Sequence, residues 1–137
     1  MGEQYRATLQ IESRADGETF EQTVEGVLYK KPNGWYIRYE ELDDEGHATR
    51  TIVKLTGDEW VVKRSGAVDS EMRFAKDRHL AGYYRSGGIE LRVTTKLTSS
   101  QLVIERDSGV ISWEYELHIG DSQALIHAIT YHLTRHT

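Results

Sequence analysis

The sequence predicts an all-β fold: one closed antiparallel up-and-down β-barrel of the calycin or lipocalin type, about nine or ten strands, over residues 1–137. Three observations predict it. Apolar and polar residues alternate with period two through most of the chain, the mark of strands with one buried and one wet face. Turn-forming residues interrupt that alternation at short, regular intervals. Two glycines, Gly26 and Gly82, fall inside strands, where bends let a sheet curl and close on itself.

The elements follow in order. Tyr5–Ser13 places Tyr5, Ala7, Leu9 and Ile11 on one face, with Arg6, Thr8, Gln10 and Glu12 on the other. Asp16–Gly17 separates it from a long second strand, about residues 19–31. Pro32–Asn33–Gly34 is a hairpin turn, since Asn and Gly accept the positive φ of a tight turn. The only proline lies there, outside any strand. Further breaks fall at Asp43–Gly46, Thr56–Asp58, Ser65–Gly66, Gly87–Gly88, Ser99–Ser100 and Ser108–Gly109. Between them, residues 89–97 and 110–119 alternate again, the latter with Ile111, Trp113, Tyr115, Leu117 and Ile119 on one face. The tail, residues 121–133, reads two ways. Asp121 could cap a helix with Leu125, Ile126, Ile129 and Leu133 on one face. Alternatively Ile129, Tyr131 and Leu133 point inward from a strand, and a closing barrel needs that last partner. The architecture favours the strand. Residues 134–137 read as a frayed terminus.

Composition narrows the function classes. A chain of 137 residues buries roughly 68–70% of its unfolded surface, enough for one core without staples. Seventeen basic and 22 acidic residues give a net charge of −5, which argues against sequence-independent binding to nucleic acid. Locally, residues 63–96 hold eight basic side chains against four acidic ones, a candidate basic patch. No cysteine is present, so disulfides and thiolate chemistry are excluded. The N-terminus runs straight into alternation without an apolar leader, and no stretch approaches a membrane span. A cytoplasmic protein that does not meet the membrane is expected.

The middle of the chain carries an ordered series of strands and turns. Thr51-Ile52-Val53-Lys54 leads to Val61-Val62-Lys63-Arg64-Ser65-Gly66, then Glu71-Met72-Arg73-Phe74 and Gly87-Gly88-Ile89-Glu90-Leu91. Gly109-Val110-Ile111-Ser112-Trp113-Glu114-Tyr115 completes it. The series resembles the YwiB-like family of bacterial proteins, a domain of unknown function with a calycin-like barrel, from about Ile11 to Leu133. The resemblance implies the fold, a bacterial cytoplasmic setting and a terminal strand. It implies no activity and no catalytic residues.

A lipocalin-type barrel has room inside for packed side chains or one small ligand. Parity points an apolar and aromatic set inward, including Leu9, Ile11, Val24, Trp35, Ile37, Val53, Leu55, Trp60, Val62, Leu91, Val93, Thr95 and Leu117. Arg64 shares the parity of Trp60 and Val62, and an unpaired buried arginine is costly. It reads either as the anchor of an anionic ligand or as a side chain that reaches the rim or pairs with Glu41. In the ligand reading, Tyr39 and Tyr84 add hydroxyl contacts, and Met72, Phe74, Trp113 and Tyr115 line the site. The ligand is then small, hydrophobic or amphipathic, and anionic. The alternative is a protein–protein interaction module with a solid-packed barrel, using the basic 63–96 region or an exposed edge strand. His127, His132 and His136 cluster in the tail, but odd separation puts the first two on opposite faces, so surface histidines are expected rather than a metal site. Glu40, Glu41, Asp43, Asp44 and Glu45 read as a solvated acidic loop. Gly87–Gly88 reads as a hairpin turn rather than a phosphate loop. The aromatics Trp35, Tyr36 and Tyr39 neighbour acidic residues that would repel a nucleic-acid strand. No nucleophile elbow or cofactor motif occurs, so neither an enzyme nor a bound cofactor is expected. A monomer or homodimer is expected.

Overall fold

The computed structural model describes residues 3–136. Ten strands run in chain order: β1 (Glu3–Ala15), β2 (Glu18–Lys31), β3 (Gly34–Leu42), β4 (Ala48–Thr56), β5 (Glu59–Gly66), β6 (Asp69–Phe74), β7 (Leu80–Ser86), β8 (Ile89–Ile104), β9 (Ser108–Ile119) and β10 (Leu125–Arg135). Each pairs antiparallel with its chain neighbours, and β10 closes on β1 through Leu9↔Leu133 and Ile11↔Tyr131. The result is the up-and-down barrel that the alternation predicts. The tail is a strand: Ile129, Tyr131 and Leu133 face inward, and Thr130, His132 and Thr134 face out.

Turn chemistry explains the connections. Asp16 and Gly17 both take positive φ, 52° and 78°, as do Gly87 and Gly88, at 58° and 81°. Both pairs form two-residue turns whose twist matches the strands they join. In the Pro32–Asn33 turn only the flanking Gly34 takes positive φ, at 148°, and Asn33 does not. Several expected boundaries move: Ser65–Gly66 closes β5 and Ser108–Gly109 opens β9, so those breaks fall at residues 67–68 and 105–107. Ser99–Ser100 is a bulge region within β8 rather than a break, because the register shifts between Leu97 and Ser99 and the strand continues to Ile104. The expected fraying of residues 134–137 does not hold for the described ones. Thr134 and Arg135 belong to β10, and the His136 amide donates to the Arg6 carbonyl at 2.9 Å. Thr137 lies outside the described residues.

The two mid-strand glycines mark close approaches. Both have the inward parity, Gly26 opposite Tyr39 and Gly82 opposite Val93. A Cβ on Gly26 would lie 2.8 Å from a Leu9 methyl and 2.9 Å from the Arg38 carbonyl oxygen. On Gly82 it would lie 2.2 Å from the Glu71 carbonyl oxygen. Neighbouring ladders begin or end at these points: β2 joins β3 only from Gly26 onward, and β6 pairs β7 only as far as Glu71↔Tyr83. Hence two long hairpins overhang the barrel at opposite ends, β1/β2 at one and β8/β9 at the other.

Ten strands enclose a wider interior than eight, so large side chains are needed to fill it. Aromatic rings do this. Trp113 meets Trp60 edge-on and stacks on Tyr131, with centroids 5.7 Å apart in both pairs. Phe74 lies 5.7 Å from Trp113 and 4.6 Å from Tyr115. Leu9, Leu28, Ile37, Val53 and Ile111 are fully buried around them. Each such side chain contributes about 1.5–3 kcal/mol of transfer free energy. The end that holds the β8/β9 turn is plugged by Tyr5, Trp35, Leu28 and Leu55.

Candidate functional site

The barrel interior is solid through its centre and open at one end. At the end that holds the β1/β2 turn, a partly enclosed cavity of about 250 Å³ enters the barrel. Its apolar wall is Val62 and Met72, Phe74 on β6, and Ile129 on β10. Its polar groups are Arg64, Ser70, Tyr84, Tyr115 and His127, with Ser13, Arg14 and Ala15 of β1 at the rim.

Register explains this convergence. Arg64 of β5 stands opposite Thr51 on one side and Ser70 on the other. Ser70 in turn stands opposite Tyr84. Across the mouth, Tyr115 of β9 stands opposite His127 of β10, and its hydroxyl lies 3.4 Å from the ring Nδ1. Parity alone makes all of these face inward.

Of the residues expected to form a ligand site, Arg64, Met72, Phe74, Tyr84 and Tyr115 come together in this cavity. Trp113 and Tyr39 do not line it. Trp113 is only 2% exposed and lies beneath Phe74 as the floor. The Tyr39 hydroxyl is committed to that of Tyr131, at 2.6 Å. Sequence reading assigned His127 to the surface, whereas it is half-buried in the cavity wall. The signal was present: the parity that sends Ile129, Tyr131 and Leu133 inward sends His127 inward as well.

Arg64 is the unusual member. Its Nε is buried without a hydrogen-bond partner. Among the described residues it forms no ion pair. The expected alternative partner, Glu41, instead accepts from Gln22 Nε2 at 2.9 Å and from Thr51 Oγ1 at 3.5 Å. Burial works against the Arg64 charge, but Tyr39, Tyr131, Glu41 and Tyr115 together hold its pKa above the ordinary arginine value. The cation therefore stays charged at any physiological pH. Burial raises the phenols in turn, Tyr115 to about 12 and Tyr39 and Tyr131 also upward. All three are neutral hydroxyls at neutral pH. Burial also lowers the pKa of His127, which favours its neutral ring.

The other candidates are placed differently. The basic 63–96 region is divided by acidic partners: Arg73 bridges Glu59 at 2.9 Å and Glu71 at 3.5 Å, Arg78 reaches Glu59 at 3.8 Å, and Arg85 meets Glu90 at 3.6 Å. In the acidic 40–45 loop, Asp43 Oδ1 accepts from the amides of Glu45 and His47, at 2.9 and 2.8 Å. These bonds, His47 foremost, lower its pKa and make it a loop brace. His132 faces outward and His136 ties Thr8 to Glu25 on the outer wall. No metal-binding group of side chains occurs among the described residues. No helix of the described chain is long and apolar enough to cross a membrane. A wider groove of about 570 Å³ crosses the outer wall past Gly26, but it is open to water, and its Arg6, Arg38 and Arg50 are interspersed with Glu25 and Glu40.

Comparison with known proteins agrees with this architecture. A family model described as a domain of unknown function (DUF1934) matches residues 6–133. A curated relative, an uncharacterised β-barrel protein named YwiB from Bacillus subtilis (strain 168), is 35% identical over 120 residues, covering 88% of this chain and 84% of the relative. A crystal structure of the ywiB protein from Bacillus subtilis superposes with a TM-score of 0.84 at 32% identity, covering 98% of this chain and 94% of that one.

Proposed function

The chain belongs to the family of the domain of unknown function DUF1934, and from that premise we propose that it binds a small amphipathic anion in the barrel mouth, anchored by Arg64. The observation that carries this reading is the unpartnered Arg64 Nε inside a cavity that combines an apolar wall with several hydroxyl and imidazole groups. A buried charge without a counter-charge is costly, and a carboxylate or phosphate would satisfy it through charge-assisted hydrogen bonds. Ser70, Tyr84, Tyr115 and His127 offer further hydrogen bonds around the same space. Val62, Met72, Phe74 and Ile129 would take the apolar part.

Size limits the ligand. Drug-sized pockets run about 300–1,000 Å³, and a cavity of about 250 Å³ falls just below that range. A short-chain or single-ring carboxylate fits this space, and a full-length lipid does not.

Titration calorimetry with octanoate and phenylacetate tests the reading. Saturable binding by the native protein is expected. Arg64→Met keeps the volume and removes the charge, and it should weaken binding by about ten- to hundred-fold, the worth of a hydrogen-bonded charge. Equal affinity in the two proteins would remove Arg64 from the account.

A further inference from the structure

The β8/β9 overhang leaves one strand edge uncovered, at the end of the barrel opposite the mouth. The β7–β8 ladder stops at Leu80↔Thr95. The Leu97 amide then donates to the Ala75 carbonyl at 3.3 Å, and Lys76 bridges Leu97. From Ser99 to Ile104, β8 pairs with β9 alone. Thr98 through Val103 are all exposed.

The Glu105 amide donates to the Ser108 carbonyl at 2.8 Å, so those two residues face each other as a hydrogen-bonded pair. Bonded and non-bonded pairs alternate along an antiparallel ladder. It follows that Ser99, Gln101 and Val103 direct their backbone groups at β9, while Ser100, Leu102 and Ile104 direct theirs at the free edge.

Beyond the bulge between Leu97 and Ser99, this edge lacks the usual protections. Thr98–Ile104 has no charge and no proline, although 28% of the chain is charged. Leu102 and Val103 are 38% and 43% exposed. Natural proteins break such edges with lysine, proline or a covering loop, because an open ladder recruits another strand. Another free edge, residues 18–25 of β2, follows that rule with Glu18, Glu21 and Glu25. On a chain of net charge −5, an uncharged edge is the segment that can meet its own copy without like charges opposed.

We propose that two copies of this chain associate antiparallel through the Thr98–Ile104 edge of β8, about a two-fold axis at Leu102. An isologous contact sets residue i against j and j against i. Centred on Leu102, it pairs Ser100 with Ile104 and Gln101 with Val103, and it satisfies all the free backbone groups of the three edge-facing residues. The same register carries the Glu105–Arg106–Asp107 turn, net −1, toward Lys76–Asp77–Arg78, net +1, of the other copy. One short ladder lies at the small end of stable interfaces, so the association is expected to be weak and concentration-dependent. It leaves the mouth open and does not depend on ligand binding.

Sedimentation velocity from low micromolar to near-millimolar subunit concentration tests it. The native chain should pass from one to two subunits in mass across that range. Gln101→Glu with Val103→Glu places like charges opposite each other and should hold the chain as a monomer throughout. Gln101→Lys with Val103→Glu alters the same two outward positions but makes them complementary, and it should restore the dimer. A native chain that stays monomeric throughout overturns the proposal. So does a dimer that survives the two glutamates, or one that the lysine–glutamate pair fails to restore.

Discussion

Arg64 and the tyrosines around it set the chemistry of the open end of the barrel. Tyr39, Tyr115 and Tyr131 are each at most 4% exposed, and burial raises the pKa of each, Tyr115 to about 12. An unfolded tyrosine ionises near 10. The folded state therefore holds these protons more tightly than the unfolded state. Their stabilising contribution is complete below pH 10 and is lost as the pH rises from 10 toward 12. In a spectrophotometric titration of the native protein, Tyr39, Tyr115 and Tyr131 should stay protonated through pH 10. These three should ionise only as the barrel unfolds. Eight phenols ionising together in a protein that stays folded would contradict the buried placement. At this scale the sequence was partly legible. Parity gave the side of the wall for Arg64, Tyr84, Met72, Phe74, Tyr115, Trp113 and Tyr39. It could not give depth along the barrel axis, which depends on strand tilt and stagger. That is why Trp113 and Tyr39 belong to the packed centre and the other five to the cavity. His127 was missed although its parity was readable, because polar histidines near a chain end are ordinarily solvated.

At the scale of elements, the strands were legible where alternation was strict and turns used glycine. Asp16–Gly17 and Gly87–Gly88 punctuate the chain where expected. β8 was not legible as one strand. Thr98–Ser99–Ser100 has the composition of a turn, and only the β9 ladder and a bulge keep it extended. Gly26 and Gly82 were legible as special positions, but their reason is spatial: each lies where another backbone comes close. Gly82→Ala would drive a methyl group to 2.2 Å from the Glu71 carbonyl oxygen, so β6 or β7 must shift. Overpacking of this kind costs about 1–3 kcal/mol. Chemical denaturation should show a loss in that range, with the slope against denaturant unchanged. A substitution of no measurable cost would mean that β6 and β7 lie farther apart than described.

At the scale of the whole molecule, the barrel interior is divided. The centre is filled solid by Trp60, Phe74, Trp113 and Tyr131. One end holds a cavity whose wall includes the unpartnered Arg64 Nε. Sequence alone could not divide the interior in this way, since side-chain volume in three dimensions decides where packing stops. The division also separates two surfaces, with the mouth at one end and the bare β8 edge at the other. The central claim is that Arg64 stands ready for an anion, and its Nε–Hε resonance reports on that directly. The signal is assigned by its loss in Arg64→Lys and then followed in the native protein during titration with octanoate. A large, saturable shift of this one arginine signal, with the other arginines still, is the predicted result. An Arg64 signal that stays in place to millimolar octanoate, or that moves only in step with the exposed arginines, would contradict the account.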